Sequence, residues 1–452
     1  MRAGPGFASV ALAEPPSCFL PARLAGSARL ALELVGQAGF PFRPIDAIRR
    51  AQARRVRRMV AHAWRSVPFY RDAMRRLGVT PADFRSADDL ARLPEIDRSD
   101  LQRDPERFRS EVHAARDLLE LRSGGSTGEP VAVWHDLSSV LANAAHGERD
   151  RSVWAGSLVP RRRYREAVVG LILGADASVQ RFLRRGVVVP AREEVERRYL
   201  SPVESLDATL SALGEFRPHV IHAYGSVLEM LYAHAEASGV PPPRPAVVTY
   251  SSDELGNGVR AHIEQDLGVP VFATYEAIEA FKIGFECDRH AGYHLNVDLY
   301  PLRLAEGGEV IVSNLVNRAT VLLNYRIGDM ATLSPEPCSC GRTLPLLSRL
   351  DGRRDDVLRR ADGSGLLPMK VALIFARTTG VWQFQVREVG PLRLDVRVVA
   401  GPDCDRPAAA AHLAAALSRE IGGDARVRVD FVERIERTPG GKVRRIVAQP
   451  RG

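Results

Sequence analysis

The chain has 452 residues, 45% of them hydrophobic and 26% charged, with a formal net charge of +8. That length exceeds one ordinary core and predicts two or three globular domains. No run of about 18 apolar residues offers a membrane span, and five unevenly spread cysteines argue against a disulfide framework and suit a reducing cytoplasm.

The start of the chain is interrupted by Pro5, Glu14, Pro15 and Pro16, which does not read as a secretory signal. Basic residues are spread throughout; the densest stretch, Arg49 to Arg65, repeats like the solvated face of a helix, so no nucleic-acid partner is expected. Of 63 basic residues, only Lys282, Lys370 and Lys442 are lysine. Each is thereby singled out in a chain that otherwise writes its cations as arginine.

In chain order, residues 44–77 carry apolar positions at helical spacing, broken at Val67-Pro68. Residues 1–110 as a whole read as a largely helical lead-in. From about 115 to 350 short strand and helix patterns alternate. Val168 to Leu173 and Ala246 to Tyr250 are strand-like; Ser226 to Ser238 and Asn257 to Leu267 are helical. Alternation of this kind predicts an α/β fold with a substantially parallel sheet. The polar break Asp351-Gly352-Arg353-Arg354-Asp355-Asp356 ends that pattern. Beyond it, a strand over 392–399, a helix over 406–421 and a strand over 427–432 predict a small α+β domain at 351–452.

Several segments carry chemistry. Ser123-Gly124-Gly125-Ser126-Thr127-Gly128 combines three glycines with three hydroxyls, a nest of donors suited to nucleotide phosphates. It lacks the lysine of a Walker loop, and an ordinary flexible loop has the same composition. Tyr275-Glu276-Ala277-Ile278-Glu279 follows an apolar run, and a carboxylate such as Glu279 is a fitting ligand for a hard dication. In Asn324-Tyr325-Arg326-Ile327-Gly328-Asp329 the final aspartate offers two acceptor oxygens, a match for a vicinal diol. Gly352-Arg353-Arg354-Asp355 reads equally as a charged linker. Arg437-Thr438-Pro439-Gly440-Gly441-Lys442 is a glycine loop ending in one of the three lysines.

Taken in order, from about residue 55 to the end, these segments resemble the adenylate-forming superfamily, in the phenylacetate–coenzyme A ligase-like branch. The resemblance implies a large N-terminal domain (1–350) of stacked α/β subdomains and a mobile lid (351–452) turning about a hinge at Asp355. It implies an ATP-dependent acid ligase that makes an acyl-AMP and passes the acyl group to coenzyme A. Ser123 to Gly128, Asp253, Tyr275, Asp329 and Arg353 would then bind the nucleotide. Glu279 would hold Mg²⁺, and Lys442 would stabilise the transition state, where negative charge builds up. Three positions depart from the family pattern: Glu129 replaces a lysine, Glu276 a glycine and Ile278 a hydroxyl residue. They leave room for other acceptors, namely an amine, a carrier-protein thiol or an unusual oxyacid chemistry. They also leave room for a homologue that binds without turnover; a homodimer is a further open reading.

Cys287 with His290 or His294, and Cys338 with Cys340, form a candidate tetrahedral Cys₃His zinc set. Within the resembled branch the histidine precedes a short strand, which favours His294. The acid pocket is expected among Trp134 to Arg149, Ala223 to Ser226, Tyr250 to Asp253 and Ala273 to Tyr275. His222, Tyr224 and Tyr250 there suit an aromatic acid or a core position equally.

Overall fold

The computed structural model describes residues 20–122, 130–158, 164–170, 174–188, 195–201, 205–401, 403–437 and 443–449. Its first helices, Leu20–Leu34, Ile45–Ser66 and Pro68–Leu77, include the expected break: Val67 is extended and Pro68 opens the next helix, the position where a missing N–H costs nothing. Ile48, Val56, Met59, Val60 and Ala63 bury one stripe of the long helix, while Arg49, Arg50, Arg54, Arg57, Arg58 and Arg65 are exposed and Arg55 turns inward toward Asp298.

A hairpin of β1 (Leu119–Arg122) and β2 (Ala132–His135) pairs antiparallel and flanks the glycine-rich segment. The strands β3 (Arg165–Val169), β4 (Glu196–Leu200), β5 (Val220–Tyr224), β6 (Val247–Ser251) and β7 (Val271–Ala277) follow, with helices between them. Then come β8 (Phe281–Glu286), β9 (Tyr293–Leu295), β10 (Leu302–Leu304), β11 (Glu309–Val312), β12 (Tyr325–Leu333) and β13 (Leu346–Arg353). These form one 11-stranded sheet in the order β10-β11-β12-β13-β9-β8-β7-β6-β5-β3-β4. The half containing β3 to β7 is parallel, as the alternation predicts. The other half is antiparallel, and among the described residues no crossover helix lies between its strands.

Strand β7 is where the two halves meet. Residues 271–273 pair parallel with β6, and residues 274–277 pair antiparallel with β8, with a register shift between Tyr275 and Glu276. A bulge re-aims the side chains that follow it, and a change of strand partner opens a crevice at the carboxyl ends of the parallel strands.

After β13 the chain turns through Arg354–Asp356 into β14 (Leu358–Arg359) and β15 (Gly365–Leu366). A second sheet contains β16 (Val381–Gly390), β17 (Arg393–Ala400), β18 (Arg426–Phe431) and β19 (Ile446–Val447), in the order β18-β17-β16-β19. It packs with the helices Pro368–Ala376 and Arg406–Ile421 around a core whose buried members run from Leu358 to Ile446. Gly352 at the entrance has φ +96, and a Cβ there would lie 2.4 Å from Pro368 Cβ. Only glycine fits so tight a passage between the two parts.

Candidate active site

The crevice at β7 opens into a cleft of about 230 Å³ lined from both parts of the molecule. Ser226, Asp253, Tyr275, Asp329 and Arg353 come from the large sheet and its connections; Val443, Arg444 and Ile446 come from the last described segment. Gly225 opens the helix Gly225–Ser238 at the end of β5, where a Cβ would lie 2.4 Å from the Glu254 carbonyl carbon. That close approach brings the 252–254 turn onto the helix start. Ser226 Oγ donates to Asp253 Oδ2 at 2.6 Å, and Ser226 N to Asp253 Oδ1 at 3.2 Å. Ser252, beside them, has φ +73, a conformation that costs a serine energy and is typically retained at sites of function.

Three of the expected nucleotide residues converge. Tyr275 Oη donates to Asp329 Oδ2 at 2.8 Å, and Arg353 Nε lies 3.5 Å from Asp329 Oδ1. Asp329 and Arg353 are paired across β12 and β13, so strand register alone sets them side by side. Burial pushes the Tyr275 hydroxyl well above its usual range, and the Asp329 carboxylate adds to the shift. The phenol therefore remains a donor.

Glu279 sits in the turn after β7. Its Oε1 accepts from Tyr325 Oη at 3.4 Å, and its main-chain oxygen accepts from Asn314 Nδ2 at 2.9 Å. Burial raises its carboxyl, while the Arg353 guanidinium opposes the rise. Glu279 is absent from the cleft lining, and Asp355 lies exposed in the Arg354–Asp356 turn between the two parts. Ser123, Gly124, Gly125, Ser126, Thr127, Gly128 and Lys442 lie outside the described residues.

Contacts across the cleft are polar and specific. Arg445 Nη1 meets Glu254 Oε2 at 3.2 Å, and its Nη2 donates to the Glu254 carbonyl at 3.0 Å and to Glu229. Arg444 Nη2 pairs with Asp356 Oδ1 at 2.7 Å, and Gln383 Nε2 donates to the Ser226 carbonyl at 3.2 Å. No pattern in the sequence marks Arg444 or Arg445 among so many arginines.

The metal candidates assemble as well. The ligand atoms of Cys287, His294, Cys338 and Cys340 all lie within 4.8 Å of one another. Cys287 Sγ and Cys338 Sγ are 3.7 Å apart, and Cys340 Sγ is 3.3 Å from His294 Nε2. Such spacings suit four ligands about one tetrahedral ion. Burial lowers His294 to about 4, which keeps the imidazole in its neutral, ligating form. His290 is placed elsewhere: it pairs with Glu286 at 3.1 Å and stacks on Phe272. The donor set, which joins Cys287 after β8 and His294 within β9 to the 338–340 loop, fits Zn²⁺.

Of the expected pocket segments, Asn143, Gly147, Ala223, Tyr224, Ser251, Ser252 and Thr274 line a second cavity joined to the cleft. Arg149 does not; it is buried in an ion pair with Asp298. Lys282, on β8, lines this cavity too, and the scarcity of lysine in the chain was the signal that marked it.

A parallel sheet continuing into an antiparallel one, closed over by a small C-terminal domain around this cleft, is the adenylate-forming ligase fold. A 2-hydroxyisobutyryl-CoA ligase in its postadenylation state, bound to an acyl-AMP, superposes with a TM-score of 0.71 at 16% identity, over 88% of this chain and 89% of that one. The same ligase in its thioesterification state gives 0.58. The resemblance to the phenylacetate–CoA ligase-like branch extends over most of the sequence. A phenylacetate-coenzyme A ligase of Thermus thermophilus is 26% identical over 377 residues, 77% of this chain and 80% of the relative. Another, from Aromatoleum evansii, is 25% identical over 443 residues, 89% of this chain and 94% of the relative. No family model matches the chain.

Proposed function

We propose that this protein is an AMP-forming acid–CoA ligase. In the first step a substrate carboxylate oxygen attacks the α-phosphorus of ATP, the bond to the β-phosphate breaks, and pyrophosphate leaves. In the second step a thiol sulfur attacks the acyl carbon, loses its proton, and AMP departs. The observation that carries this reading is the convergence of Tyr275, Asp329 and Arg353 on one cleft. Asp329 is suited to accept from both ribose hydroxyls, and Tyr275 gives a buried aromatic face for a base.

By the resemblance, Glu279 would hold Mg²⁺ beside the phosphates, a role a carboxylate is suited to. By the same resemblance, Lys442 would place its cation on the α-phosphate during adenylation. Arg445 holds the last described segment against Glu229 and Glu254 of the large part, which supports a lid closed over the cleft. Turning about Asp355 would expose the acyl-adenylate to the thiol. Coenzyme A is the acceptor we favour, on the likeness to CoA ligases over most of the chain; zinc at Cys287, His294, Cys338 and Cys340 would be structural.

Acid-dependent ATP–pyrophosphate exchange tests the first step, and thioester formation from coenzyme A tests the second. Exchange without thioester would move the proposal to an amine or carrier-protein acceptor. Loss of exchange in Lys442→Ala, with transfer from preformed acyl-AMP retained, is the expected division between the steps. Absence of exchange with a broad panel of acids would sink the enzymatic reading.

A further inference from the structure

A second cavity, about 350 Å³, opens off the nucleotide cleft through Ser252, Thr274 and Glu276, which line both. Under the adenylation reading, on which this inference rests, it receives the body of the acid. Apolar walls are the usual lining for an apolar acyl group. Here eight charged side chains reach the cavity, five carboxylates against three cations, among them Asp150, Glu166, Glu276, Arg197 and Lys282.

Their charges do not balance at the junction. Arg197 and Glu166 satisfy each other, with Nη2 2.6 Å from Oε2. Lys282 instead stands between two carboxylates, 2.8 Å from Asp150 Oδ2 and 3.8 Å from Glu276 Oε1. One ammonium thus faces two negative groups. Asp150 is only 8% exposed, and its Oδ1 has no hydrogen-bond partner among the described residues. A buried carboxylate oxygen without a donor is costly, and a second cation bound beside the pair offsets part of that cost. Burial pushes the Asp150 carboxyl up, Lys282 opposes the rise, and Glu276 adds to it. Glu276 stands where the resembled motif has glycine, so the second carboxylate is a departure from that pattern.

We propose that the acid activated here carries a cationic amino group in its acyl part, seated against Asp150 and Glu276 beside Lys282. The ammonium supplies the second positive charge that Asp150 and Glu276 otherwise share from Lys282 alone. The carboxylate at the other end then points through the Ser252–Thr274 opening toward the nucleotide.

The test compares pairs of acids of matched shape in pyrophosphate exchange: para-(aminomethyl)benzoate against para-ethylbenzoate, and δ-aminovalerate against hexanoate. The amino member is expected to lead by about tenfold or more in kcat/KM, chiefly through KM, as for a charge-assisted hydrogen bond. Glu276→Gln should collapse that ratio. Should this variant not fold, Asp150→Asn reads the same ratio, and a thermal melt checks folding for both. Uncharged acids turned over as well as their amino partners overturn this inference and leave the adenylation reading standing. An amino preference unchanged in both folded variants overturns the seat assigned here. Silence with both members of every pair, and with the broad panel, overturns both readings.

Discussion

The hydroxyl of Tyr275 donates to the carboxylate of Asp329 across 2.8 Å, joining β7 to β12 although 54 positions separate the two residues. Arg353 approaches the other oxygen of the same carboxylate at 3.5 Å. Asp329 is thus held in one orientation before any nucleotide arrives, and pre-organisation of this kind lowers the cost of binding.

With Asp329 as the proposed acceptor of both ribose hydroxyls, its replacement by alanine should lower kcat/KM for ATP in pyrophosphate exchange by about 100-fold. Tyr275→Phe keeps the ring and loses one hydrogen bond, so the loss should be about fivefold. Equal effects from the two substitutions would contradict the role of Asp329 as the diol acceptor.

Metal content separates a zinc site from a cluster of buried thiols. Purified protein should carry about one zinc per chain, and Cys340→Ala should lose it and melt several degrees lower. His290→Ala should retain the metal, since His290 is engaged by Glu286 instead. Protein that is metal-free as purified, yet equally stable, would remove the site.

Arg149 is a stability residue. Its side chain is 1% exposed and grips Asp298 with two hydrogen bonds, at 2.7 and 3.0 Å, while Asn296 and Gln37 accept from it at 2.9 Å each. Burial opposes ionisation of Asp298, but the Arg149 guanidinium holds its carboxyl below the usual range. Arg149→Met would strand that charge, and urea unfolding should show a loss of about 3–5 kcal/mol. The double change Arg149→Met with Asp298→Asn should recover much of it.

Stability should also report on the lid contact. Burial pushes the Glu229 carboxyl up to about 7, although the Arg445 guanidinium and the Gly256 amide oppose the shift. The folded chain therefore binds this proton more tightly than the unfolded chain does. The contribution of Glu229 to stability is fully present below its unfolded value and is lost as pH rises through its folded value. The melting temperature should fall between about pH 5 and pH 8, and Glu229→Gln should flatten that fall. Identical slopes for the two proteins would dismiss Glu229 as the titrating group.

Much of this molecule is legible in one dimension. The break at Val67-Pro68, the helix Arg406–Ile421 and the strands at 247–251 and 426–431 fall where periodicity and turn residues put them, to within a residue or so. These signals are local, carried by neighbours three, four or two positions apart. The order of the Tyr275, Asp329 and Arg353 segments likewise sufficed to indicate the chemistry.

Tertiary structure decided the rest, because it depends on residues distant in sequence. The exchange of partners along β7, the convergence of Cys287 and His294 on the 338–340 loop, and the docking of Arg445 on Glu229 each follow from register and packing between separate elements. So does the uneven sharing of Lys282 between Asp150 and Glu276, 132 and six positions away. The sequence alone marked that lysine as unusual and pointed to activation of an acid. Which carboxylates it serves, and hence the charge the acid itself should carry, is determined only by the fold that brings them together.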